Sequence, residues 1–198
     1  MKKIIITGIA FFVIVGAVIA IFLMKRSAGS VFLIPEKDYE VSGKIKAYNQ
    51  RDKEWKDDTL GNSGYTIGSS GCVLTSIASA ISDTAGAMDP KSLNTYFTEN
   101  NVFDSEGNLR WNVLDSLSGF NAEVYSETSR EIVDKCLDEG RYPIVRVRTN
   151  NGLGAGHYVL IVGAEEGEYI CMDPLKGGFT TLESYGRKIF AVRCVWYE

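Results

Sequence analysis

Cys72 stands where a stretch rich in glycine and serine, 61–71, gives way to the apolar run Val73–Ser82. That run, VLTSIASAIS, carries small and apolar residues at helical spacing, so Cys72 is expected at the N-terminus of a buried helix. There the unpaired N–H groups and the positive end of the helix dipole favour the thiolate, the nucleophilic form of cysteine. A small cysteine packed on a buried helix is the plainer alternative. The chain has one histidine, His157, in Gly154-Ala155-Gly156-His157-Tyr158-Val159, just ahead of an apolar strand. Glycines on its approach leave room for another segment against the backbone. Any Cys–His chemistry in this chain must use His157, to take the thiol proton and later return it to a leaving amine.

Acyl transfer by such a pair calls for two further groups. One orients the imidazole. Asp173, in Cys171-Met172-Asp173-Pro174, follows His157 by sixteen residues. If 158–163 and 169–172 form a hairpin, the end of the second strand returns beside the start of the first. An Asp-Pro turn with no further role is the alternative. The other group donates hydrogen bonds to the oxyanion. The Cys72 N–H is one candidate donor. The side-chain amide of Gln50, five residues before Trp55, is the second.

Composition narrows the field. The 198 residues hold 21 Lys and Arg against 25 Asp and Glu, for a net charge of −4. All charged residues of the first 26 (Lys2, Lys3, Lys25, Arg26) are basic, so the remainder is more acidic still. An acidic body excludes a nucleic-acid binder, which needs a basic face for phosphates. A 45% hydrophobic share with 11% aromatics excludes a disordered chain. One histidine and no C-x-x-C pair exclude a multi-His metal site and a zinc ribbon, and no cofactor is implied. Gly152-x-Gly154-x-Gly156 leads into a strand, unlike a dinucleotide fingerprint. Gly68-Ser69-Ser70-Gly71 is not a serine elbow. Trp55, Trp111 and Trp196 read as core or groove aromatics, and Arg146 and Arg148 as a solvated strand face. In an oxidising compartment Cys171–Cys194 is one candidate bridge, although pairing is not encoded in spacing.

These side chains must be positioned by a body of α+β type. Helices are expected over 73–82, from Asp89-Pro90 through Phe97, and over 109–117. A fourth is expected after a Thr128/Glu131 capping box, ended by Gly140. Beyond it, β-rich runs at 144–147, 158–162, 169–172, 179–182 and 189–196 are separated by turn residues, too closely for crossover helices. The pattern is that of N-terminal helices packed on a C-terminal antiparallel sheet. Ahead of the body, Ile4–Leu23 is twenty residues without a charge, about 30 Å of helix, the thickness of a bilayer core. It reads as one transmembrane anchor or an uncleaved signal over 1–26. A tether over 27–42 and a single domain over 43–198 follow.

The ordered set Gln50…Trp55…Gly61…Thr66-Ile67-Gly68…Gly71-Cys72, His157-Tyr158-Val159, Asp173-Pro174 resembles the C39-like branch of the papain-like cysteine peptidases. The resemblance covers roughly Lys46 to Asp173. It implies the papain-like fold, with Cys72 as nucleophile, His157 as general base and acid, Asp173 as orienting group and Gln50 as oxyanion donor. It implies a peptide or protein substrate. Val73 follows the nucleophile where many relatives carry a small residue. Unlike the peptidase domains fused to exporters, this chain has no G-x-x-x-x-G-K-[ST] phosphate loop. Two alternatives share the groove: a catalytically silent surface module binding peptide or cell-wall material, and a deamidase or transamidase using the same triad. A three-residue tail before one apolar span leaves the body outside, giving a single-pass cell-membrane protein with an extracytoplasmic domain, as on a bacterial cell surface. Protease added to intact cells should therefore remove residues 43–198; survival of that body would reverse the orientation.

Overall fold

The computed structural model describes residues 14–22, 24–25 and 27–198. The expected span Ile4–Leu23 lies partly outside the described residues. Its 14–22 portion is helical, and among the described residues no helix is long and apolar enough to cross a membrane. The chain divides into two units, Met1–Ser30 and Val31–Glu198.

The second unit is α+β. In chain order it contains β1 (Val31–Phe32), α1 (Ile67–Ser70), α2 (Cys72–Ala80), α3 (Pro90–Glu99), α4 (Trp111–Leu114), β2 (Phe120–Val124) and α5 (Arg130–Asp138). Then follow β3 (Tyr142–Arg148), β4 (Gly156–Glu165), β5 (Glu168–Asp173), β6 (Gly178–Thr181), a 3-10 turn (Leu182–Tyr185), β7 (Lys188–Ile189) and β8 (Ala191–Tyr197). The six-stranded sheet has the order β2-β8-β3-β4-β5-β6, and every pairing is antiparallel.

Strand alternation divides the core between the two sheet faces. Ile144, Leu160, Met172 and Val195 point toward α2 and α3, where Leu74, Ile77, Ile81, Leu93 and Phe97 meet them. Their neighbours Val145, Val159, Cys171 and Val192 point the other way, toward Val133 of α5, Leu182 and Leu33. The two-layer expectation is thus extended, because α5 covers the face opposite α2. Asp89 caps α3 by accepting from Ser92 N–H at 2.7 Å, with Pro90 in the first turn. Serine and alanine dominate the second half of α2, which lets it lie fully buried on the sheet.

Several sequence expectations are corrected. The cap of α5 is Ser129, not Thr128: its hydroxyl accepts from Ile132 N–H. The helix expected over 109–117 is a single turn. β2 was not expected, since Phe120–Val124 (FNAEV) is weakly β-forming by itself and is held by pairing with β8. Arg146 is exposed, but Arg148 is half-buried, 5.2 Å from the Phe190 ring centroid. Residues 31–42, expected as tether, belong to the domain: Val31 pairs with Ile189, Tyr39 bridges Ala164, and Leu33 is buried.

The disulfide joins Cys136 to Cys194, not Cys171 to Cys194. Cys171 does face the same side of the sheet. But β3 and β4 separate its strand from β8, and three strand steps amount to roughly 14 Å, beyond the ~7 Å reach of a bridge. Cys136 on α5 sits over β8 with a Cα–Cα distance of 6.6 Å. The bridge closes a loop with a sequence separation of 58, and reduction should cost about 2–4 kcal/mol of stability. Non-reducing peptide mapping should recover Cys136 linked to Cys194 with Cys72 and Cys171 as free thiols; a bridge containing Cys171 would overturn the assignment.

Candidate active site

Cys72 is the first residue of α2, and its side chain is half-buried. The preceding Gly71 is required there: a Cβ would lie 2.6 Å from the Ile67 carbonyl oxygen. The short α1 before it is set by a capping box between Thr66 and Ser69. The Gly68 carbonyl is four residues upstream of Cys72, and would accept its N–H if α1 ran on unbroken. That carbonyl is taken by the Gln50 side chain, whose Nε2 donates to it at 3.0 Å.

His157 and Asp173 come together through strand register. Leu160 of β4 faces Met172 of β5. One residue further, Asp173 lies beside Val159, two positions from His157 on the same face, a diagonal within reach of longer side chains. His157 Nε2 stands 2.7 Å from Asp173 Oδ1. With Nε2 engaged there, Nδ1 is the ring nitrogen left free for Cys72, which lies close enough to raise the pKa of the imidazole. The hairpin expected to return Asp173 to His157 is therefore present, and Cys72 lies near the imidazole that Asp173 holds.

Two partners of Asp173 have no signature in the sequence. The Leu175 N–H donates to Oδ1 at 2.8 Å, and the Tyr185 hydroxyl donates to Oδ2 at 2.7 Å. Tyr185 comes from the 3-10 turn after β6, and nothing in its local residues points to this role. Asp173 itself is only 2% exposed. Burial disfavours its charge, but the hydrogen bonds from His157, Tyr185 and Leu175 outweigh that and hold its pKa below the ordinary range. Burial and the bond to Asp173 push the Tyr185 hydroxyl well up, so it remains a donor. His157 is 3% exposed. Burial pulls its pKa down, yet the hydrogen bond to Asp173 and the interaction with nearby Cys72 push it up to about 9.

Gln50 links the two halves. Besides its side-chain bond to Gly68, its backbone N–H donates to the Pro174 carbonyl at 2.8 Å, next to Asp173. The turn that offers this carbonyl closes on Gly177, which has φ +61° and whose Cβ would lie 2.6 Å from Asn49 Cβ. Trp55 braces the segment by donating from Nε1 to the Asn49 carbonyl at 2.8 Å. Gln50 is buried, and its Oε1 has no hydrogen-bond partner among the described residues. One Nε2 hydrogen is committed to Gly68, and the other remains available.

A groove of about 310 Å³ opens beside Cys72, lined also by Leu60, Phe103, Trp111, Tyr158 and Arg193. The other free cysteine, Cys171, is fully buried, and burial pushes its thiol pKa well up. Among the described residues no group of His, Cys, Asp and Glu could hold a metal ion. Chemically, the arrangement offers a half-buried sulfur on a groove and an oriented imidazole, with the Gln50 amide anchored to the loop that leads into Cys72. No protein-family model matches the chain, and no curated protein matches it.

Because His157 is the only histidine, a single imidazole NMR signal reports this site. Its midpoint should lie near 9 and fall toward 6.5 in Asp173→Asn. The raised value means that this proton's contribution to stability is fully present below about pH 6.5 and is lost as pH rises through about 9. A wild-type midpoint near 6.5 would refute the coupling.

Proposed function

We propose that this chain is a membrane-anchored cysteine peptidase of the C39-like, papain-like kind, hydrolysing amide bonds of peptide or protein substrates outside the cytoplasm. The observation that carries the reading is the buried His157–Asp173 pair at 2.7 Å, with Cys72 near the imidazole and lining a groove. The location rests on the apolar run Ile4–Leu23 alone.

In this reading Cys72 Sγ attacks the scissile carbonyl carbon, and the negative charge moves to the carbonyl oxygen. The Cys72 N–H and the free Nε2–H of Gln50 are its donors. His157 gives its Nδ1 proton to the leaving nitrogen as the C–N bond breaks, which leaves a thioester on Cys72. Water then loses a proton to His157, adds to the thioester carbon and expels the thiolate. Asp173 holds the ring through Nε2 so that Nδ1 faces the sulfur in both halves. The aligned hairpin, the buried carboxylate and the glycine that frees the helix start support this division of roles. Val73 adds bulk beside the nucleophile but leaves the Cys72 N–H in place.

The test is the iodoacetamide alkylation rate of Cys72 in the full-length chain, followed by peptide mass spectrometry against pH. An ordinary cysteine titrates near pH 8.5. Wild type should stay reactive down to about pH 5–6, and His157→Ala should lose that reactivity, together with ~10²–10⁴-fold of any peptide turnover. Identical, ordinary thiol profiles in both proteins would leave Cys72 a packing residue.

A further inference from the structure

The groove beside Cys72 contains a cation that the catalytic reading does not use. Arg193 rises from β8 into the wall of the groove and is its only charged lining residue; no acidic side chain lines it. Its guanidinium lies 5.4 Å from the Trp111 ring centroid and 5.5 Å from the Tyr158 centroid. These rings fix its position and remove water from it. Its Nε and Nη1 are buried and have no hydrogen-bond partner among the described residues. No carboxylate among the described residues forms an ion pair with it, although the protein is acidic overall and the half-buried Arg141 and Arg187 are paired.

An arginine remains charged at any working pH. Burying its donors without acceptors is costly, and that cost is relieved when a ligand supplies them. The guanidinium is planar and matches both oxygens of a carboxylate. Leu60, Phe103 and Leu109 supply apolar wall near it, while Ser70 and Asn108 add polar groups but no charge. Resting on the cysteine-peptidase reading, we propose that Arg193 forms a carboxylate-binding subsite beside the nucleophile, so that preferred substrates carry an acidic group near the scissile bond. That group is either an acidic side chain or the free carboxylate of a chain end.

Four thiol-directed probes separate these sources in the full-length protein. Chloroacetyl-alanyl-alanine is used as free acid and as amide. Chloroacetyl-glutamyl-alanine amide is paired with its glutaminyl twin. Labelling at Cys72 is read by peptide mass spectrometry in wild type, Arg193→Met and Arg193→Lys. One acidic probe should label roughly tenfold faster than its neutral twin, with the preference lost in Arg193→Met and partly kept in Arg193→Lys. A preference for the free acid identifies a chain end; a preference for the glutamyl probe identifies an acidic side chain. Equal rates within both pairs, or a preference that survives Arg193→Met, would overturn the subsite. A second measurement does not depend on the thiol. In Cys72→Ser, the acetylated counterparts of the probes are titrated against the Arg193 Nε–H NMR signal, which should shift only with a carboxylate. If Cys72 reacts slowly with every probe, the peptidase reading fails, and the subsite then stands or falls on that titration.

Discussion

A carboxylate taken out of water sets the terms for this site. Asp173 has almost no solvent contact, and it keeps its charge because three groups donate to it. They come from separate parts of the chain: the imidazole of β4, the amide of the turn after β5 and the hydroxyl of the 3-10 turn. If one donor moved, a buried charge would be left short of partners, at a cost of about 1–3 kcal/mol. The same bond that satisfies Asp173 selects which imidazole nitrogen is free. Orientation of the base and retention of the buried charge are therefore one requirement, and the strand register that meets it also fills both faces of the sheet.

The nucleophile is positioned by a different device. α2 packs closely on the sheet, with the small Ser76, Ala78, Ser79 and Ala80 buried beside Leu74 and Ile77. Ser79 Oγ reaches Met172 Sδ on β5 at 3.7 Å, one residue before Asp173. The C-terminal turn of the helix is thus tied to the strand that bears the orienting acid. Gly71 allows the chain to enter the helix against Ile67. Gln50 then ties the loop before Cys72 to the turn after Asp173, using its side chain for one and its backbone for the other. Local stiffness comes from the helix start and the turn, while the distance between them is set by core packing.

Covering both sheet faces has a further consequence. The central strands β3 and β4 are apolar on both sides, so their periodicity is blurred even though the sheet is antiparallel. α5 lies on the face opposite α2, and the disulfide fastens it to β8. β8 in turn carries Arg193 on the α2 side and Cys194 on the α5 side. One strand therefore contributes to the groove and to the covalent brace through adjacent residues.

Much of this was legible in the residues themselves. A glycine before a cysteine at the head of an apolar helical run, a lone histidine before a strand and an Asp-Pro turn one hairpin later are local patterns governed by helix starts and period-two alternation. The start of α3 at Asp89-Pro90 and the end of α5 near Gly140 were equally local, since capping residues act within one turn. Contacts between elements distant in sequence were not legible. The pairing of Cys136 with Cys194 depends on strand order, which puts two strands between β5 and β8. The roles of Tyr185 and Arg193 depend on which face of which strand meets another element. The pairing of Val31–Phe32 with β7 and the bridge of Tyr39 to Ala164 depend on partners that come within reach only once the sheet has formed. Residue types and short-range spacing determined which groups could react. The tertiary structure decided which of them meet, because burial, register and strand order are set by the whole core at once.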